Sequence, residues 1–119
     1  MDDKVNLADK LALLGGYYRP GTVGFLNDYK LLVVKVHGPF VWHTHESTDE
    51  FFLVLRGRLT IHLRGRDVHL GPGELFVVPR GIEHCPDATE ETDVLLIEPQ
   101  ETVNTGGTGG PMTAEPRVL

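Results

Sequence analysis

The chain has 119 residues, 40% of them hydrophobic and 24% charged, and a net charge of −6 from 11 Lys+Arg against 17 Asp+Glu. That is the size and balance of one globular domain; it excludes wholesale disorder, and with no basic stripe it excludes nucleic-acid binding by counterion release. No apolar run reaches the roughly 18 residues that cross a bilayer, and Asp2 and Asp3 stand where a signal peptide would be basic, so the expected setting is cytoplasmic with no membrane partner.

The first expected element is a helix over residues 6–14. Asn6 can cap it, Asp9 sits three residues on, and Leu7, Leu11 and Leu14 share one face. Gly15-Gly16 ends it, which leaves residues 1–16 as a packing arm. From residue 17 to residue 98 the pattern is short strands at spacings of roughly 8–12 residues. Val23–Leu26 and Tyr29–Val36 flank an Asn27-Asp28 turn. Phe40–His43 reads as a short strand and Glu50–Arg56 as one apolar on both faces. Leu59, Ile61 and Leu63 alternate with Thr60, His62 and Arg64. Asp67–Leu70, Leu75–Val78, Ile82–Cys85 and Val94–Glu98 complete the set, with an acidic loop of Asp87, Glu90, Glu91 and Asp93 between the last two. The expected class is all-β, an antiparallel sandwich or closed barrel. Residues 99–119 carry Gly106-Gly107-Thr108-Gly109-Gly110-Pro111 and read as a flexible tail, the alternative being a strap along the barrel or a partner.

The chemistry gathers at His43-Thr44-His45. In a strand, positions i and i+2 point to one side, so both imidazoles can face one cavity. A turn through 46–49 would bring Glu50 beside them, with Asp49 on the opposite face, and His84 can return past Pro79 and Gly81. Three imidazoles and a carboxylate suit one divalent transition metal per chain, Fe, Mn, Ni, Co or Zn. Val41, Phe52, Phe76 and Ile82 share the inward parity and are expected to line a substrate pocket. His62 and His69 fall on polar parity and are expected outside the site. His37 ends a strand near the mouth, and Lys35 reads as either an anion-binding group or a surface lysine. The single cysteine, Cys85, permits no internal disulfide and turns away from the cavity as a small buried hydrophobe.

Residues 38–57 read G-x4-H-x-H-x4-E-x6-G, and residues 73–84 read G-x5-P-x-G-x2-H. These resemble the two motifs of the cupin superfamily, small jelly-roll barrels (double-stranded β-helices) with a metal in the mouth. The first motif is one residue shorter than usual before its first histidine, and Ala88 stands where the second usually has an asparagine. The resemblance implies His43, His45, Glu50 and His84 as metal ligands. It also implies a dioxygenase or an isomerase acting on a small molecule, or a module that only binds one. An isomerase needs a base beside the metal. No second carboxylate is expected in the cavity, which favours oxygen chemistry, with Glu50 as the residue whose charge tunes the ion. Phe51, Leu53 and Leu55 point away from the site and need cover from the helical arm or a second subunit, so a homodimer is expected.

Overall fold

The computed structural model describes residues 3–119. Asn6 accepts a hydrogen bond from the Asp9 backbone N–H and opens α1 (Leu7–Leu11), which is shorter than the leucine spacing suggests because residues 12–14 continue only as a turn. Eight strands follow: β1 (Gly21–Leu26), β2 (Tyr29–Pro39), β3 (Glu50–Arg56), β4 (Leu59–Leu63), β5 (Asp67–Leu70), β6 (Leu75–Val78), β7 (His84–Pro99) and β8 (Arg117–Val118). The fold is an all-β jelly roll. Alternation along β2, β3 and β4 drives Val34, Val36, Phe52, Val54, Leu59 and Ile61 into one apolar core, where Val78 and Val94 meet them.

The long β7 organises the barrel. Its start pairs with β4, Leu63 opposite His84, and its end pairs with β3, Phe52 opposite Leu96. Most of β7 also pairs with β2, from Tyr29 opposite Pro99 to Pro39 opposite Asp87. Two expected strands are therefore one, and the acidic stretch between them is strand rather than loop. Thr92 is fully buried there, and Asp93 pairs with Lys35 at 3.1 Å and Arg56 at 3.2 Å. Lys35 is thus neither an anion site nor a free surface lysine. Phe40–His43 is not a strand; it touches the sheet through Phe40 N–H to the Pro86 carbonyl and a bridge from His43 to His84.

Residues 99–119 form the strap, not a free tail. Lys30 Nζ donates to the Thr102 carbonyl, Thr105 is fully buried with its hydroxyl 2.6 Å from that of Thr113, and Met112 packs on the core. Asn104 staples the strap to itself, donating to the Met112 carbonyl and accepting from Ala114 N–H. β8 then pairs in parallel with β1. Glycine is required at 106: its φ is +56°, and a Cβ there would collide with the Thr44 carbonyl.

Candidate metal centre

The His43 and His84 backbones exchange two hydrogen bonds, at 2.9 and 3.0 Å. Gly81 N–H donates to the His45 carbonyl at 2.9 Å, and Gly81 itself holds φ +80° in the turn that returns the chain. Arg80 fastens that turn to Asp49, whose carboxylate accepts from the Arg80 backbone at 2.9 Å and its guanidinium at 3.1 Å. Asp49 is exposed and belongs to this clasp rather than to the site.

The ring nitrogens of His43, His45 and His84 lie within 4.8 Å of one another, and all three residues are buried. His43 Nδ1 meets the Val41 carbonyl and His84 Nδ1 the Ile82 carbonyl, both at 2.9 Å. With Nδ1 as the donor in each, Nε2 is left with a free lone pair facing the centre. Burial holds His43 and His45 at about 4 and pushes His84 down as well, so all three are neutral near pH 7. His45 Nε2, His84 Nε2 and Glu50 Oε2 are buried with no hydrogen-bond partner. Orphaned acceptors in a dry interior are costly unless something satisfies them, and a divalent cation does so for all three at once. The residues present fit a metal ion. Glu50 Oε2 sits 3.9 Å from His45 Nε2 but outside the circle of the three rings.

Glu50 also has a carboxylate neighbour that the strand pattern was not expected to bring into the cavity. Glu98, 3% exposed, lies within hydrogen-bonding reach of it, and Lys30, 6% exposed, stands 3.5 Å from the Glu98 carboxylate. Burial first, and the Glu98 charge second, push Glu50 well above the usual carboxylate range. Burial also raises Glu98, with Lys30 opposing it. A second carboxylate therefore does reach the cavity. The signal was strand parity: Glu98 continues the inward series Val94–Leu96, Lys30 the series Leu32–Val34–Val36, and the two are cross-strand partners.

A cavity of about 50 Å³ opens beside His43 and Glu50 into the barrel. Phe52 lines it. Phe76 packs on the core instead, while Val41 and the 43% exposed Ile82 lie outside the wall and serve the site through their carbonyls. Tyr18, held by its hydroxyl to the Gly38 carbonyl and stacked on Phe40, closes one side, and Asn104 of the strap another. His62 bridges Asp67 and Asp87 at 2.7 and 2.9 Å, His69 meets Thr60 at 3.0 Å, and His37 lies exposed against Tyr17; none enters the centre.

Residues 30–98 match the family model of the cupin domain. The chain is a cupin. It is 43% identical to a crystal structure of a cupin-2 domain containing protein from Shewanella frigidimarina, with a TM-score of 0.79 over 80% of this chain and 93% of that one. Among curated proteins it is 34% identical over 77 residues to 3-hydroxyanthranilate 3,4-dioxygenase of Danio rerio, 59% of this cupin and 26% of the relative. It is 37% identical over 92 residues to oxidoreductase macE of Penicillium terrestre, 76% of this cupin and 33% of the relative. The cupin thus spans a quarter to a third of the length of these two curated relatives. No described helix is long and apolar enough to cross a membrane.

Proposed function

We propose that this cupin is a metal-dependent enzyme of dioxygenase type acting on a small organic molecule in the barrel mouth. One divalent transition-metal ion per chain would be held by His43, His45 and His84, with Glu50 as the fourth donor. The observation that carries this reading is the set of orphaned atoms on His45, His84 and Glu50 beside an apolar cavity. The dioxygenase and oxidoreductase names of the partial relatives support the reaction type. When bound, the ion supplies Lewis acidity and, as iron, manganese or nickel, redox chemistry. The chain supplies the rest. Phe52 and its apolar neighbours hold the organic body and keep water out. Glu50 sets the charge at the centre, and Glu98 beside it can hold or release a proton.

That second carboxylate also favours a second reading, an isomerase-type reaction with Glu98 moving a proton to or from carbon. Elemental analysis of protein purified without added metal, then oxygen uptake over a panel of diketones, thiols and sugars, tests the first reading. Solvent deuterium entering carbon without oxygen uptake would favour the second. No bound first-row metal would defeat both.

We further propose that the chain works as a cytoplasmic homodimer. A free, buried Cys85 suits a reducing compartment. The outward residues of β3 and β6 support pairing: Phe51 stands opposite Val77 and Leu53 opposite Leu75, and Val77 and Leu75 are 41% and 54% exposed.

A further inference from the structure

The cavity that opens from the metal centre has a wall of one chemical character. Aliphatic Leu32, Val34, Val36, Leu59, Val94 and Leu96 form part of it, with aromatic and proline side chains beside them. Its carboxyl groups are those of Glu50 and Glu98. Among the described residues no lysine or arginine lines it. The nearest ammonium, Lys30, is committed to the Glu98 carboxylate at 3.5 Å and the Thr102 carbonyl at 2.9 Å. The remaining wall amide, Asn104, is engaged through one N–H on the Met112 carbonyl and through its oxygen on Ala114 N–H. A carboxylate carried into this space away from the histidines would therefore be buried in a largely apolar wall, without a cation of its own and beside two carboxyl groups. Such burial is strongly unfavourable.

The volume limits the occupant too. About 50 Å³ admits on the order of four water-sized groups, so one small ring or a short branched chain fills it.

We propose that this site selects small, uncharged molecules: an oxygen-bearing head directed to the three histidines, an apolar body in the barrel, and no carboxylate on that body. The proposal rests on the metal-centre reading above. It departs from the name of the partial relative in Danio rerio, whose substrate name denotes a benzoic acid.

The test is calorimetric binding to the wild-type protein as purified with its metal, under argon so that no turnover intervenes. The probes are 4-methylcatechol and 3,4-dihydroxybenzoate, matched in the two hydroxyls and in ring size and differing in methyl against carboxylate. The expected result is binding of 4-methylcatechol at least tenfold tighter than the carboxylate. Equal or tighter binding of 3,4-dihydroxybenzoate overturns the proposal, and so does failure of 4-methylcatechol to bind. Admitting oxygen then separates the two claims. If 4-methylcatechol binds and no oxygen is consumed, the ligand class stands and the dioxygenase reading loses its support. If 3,4-dihydroxybenzoate binds equally or more tightly, the ligand class falls whatever the oxygen electrode records.

Discussion

His43 and His84, 41 positions apart in the chain, are direct antiparallel partners: each donates its backbone N–H to the other's carbonyl, and their rings stand 4.2 Å apart. The two halves of the centre are thus joined by backbone, before any ion enters. Removing one ring should leave this bridge intact. His43→Ala, His45→Ala and His84→Ala should each fold and lose most bound metal, as read by elemental analysis. His62→Ala and His69→Ala should keep it. Wild-type metal content in His84→Ala would refute the site.

The pH dependence has a defined sign. His43 and His45 titrate at about 4 in the fold and near 6.5 when unfolded, so between those values the unfolded chain binds more protons and stability rises with pH. His84, also lowered, acts in the same direction. Glu50 and Glu98 act oppositely, because their raised folded values make the fold retain protons that the unfolded chain has released. A bound cation competes with protons for all three imidazoles and for Glu50. Urea denaturation from about pH 7 to about pH 4, with and without chelator, should show a large metal-dependent gain at neutral pH that closes as His43 and His45 protonate. A gain that persists unchanged at about pH 4 would contradict a histidine-dominated centre.

Glu50→Gln keeps size and an oxygen donor but removes the charge. If the proposed dioxygenase reading holds, it should retain part of the metal and lose turnover, measured as metal content and oxygen uptake on the same preparation. Lys30 acts at one remove. Lys30→Met leaves Glu98 buried without its cation and should cost about 3–5 kcal/mol in urea denaturation, the range for breaking a buried pair. Adding Glu98→Leu should recover much of that loss. A double variant as unstable as the single would mean that Lys30 matters for the strap, through Thr102, more than for Glu98.

The three histidines were legible because their signal is local: a two-residue alternation, and glycines and a proline spaced to bring the chain back. Glu50 was legible as the first inward position of a strand. Glu98 and Lys30 were passed over, since composition assigns charged residues at strand ends to solvent, although parity with Leu96 and Leu32 turns both inward, where they meet as cross-strand partners. Charge and proline made 86–93 look like a loop. Pairing to β4 over residues 84–87, and to β2 on either side of a bulge at 89–91, carries the strand through it. Val41 and Ile82 share parity with the ligands, but they sit in irregular backbone beside the bridge, where alternation no longer fixes direction. The strap was the least legible part. Its contacts are scattered, Thr105 to Thr113, Thr108 to the Trp42 carbonyl, Arg117 to the Leu13 carbonyl, and none repeats with a period.

Gly106 tests whether the strap is part of the barrel or a loose cover. The Thr44 carbonyl lies where a side chain would begin, on the segment that joins His43 to His45. The obstacle is backbone, and φ is positive, so Gly106→Ala cannot be absorbed by a side-chain rotation. It should lower the melting temperature and expose residues 99–119 to limited proteolysis, while Gly107→Ala, with open space around it, should do neither. Equal behaviour of the two variants would place the strap outside the cooperative fold.

The outer face of β3 and β6 gives the last expectation. Leu55 lines a groove beside Leu7, Ala8 and Leu11 of α1, while Leu75 and Val77 stay 54% and 41% exposed. They continue the outward rows of Phe51 and Leu53, which pass on to Ile97 and Leu95 of β7. The proposed homodimer would bury this apolar strip, and a two-fold pairing of identical strips is the commonest way to do so. Light scattering at micromolar concentration should therefore give a dimer. Leu75→Lys should dissociate it without lowering metal content, because Leu75 points away from the histidines. A wild-type monomer would remove the homodimer, and a Leu75→Lys dimer would move the interface to another face.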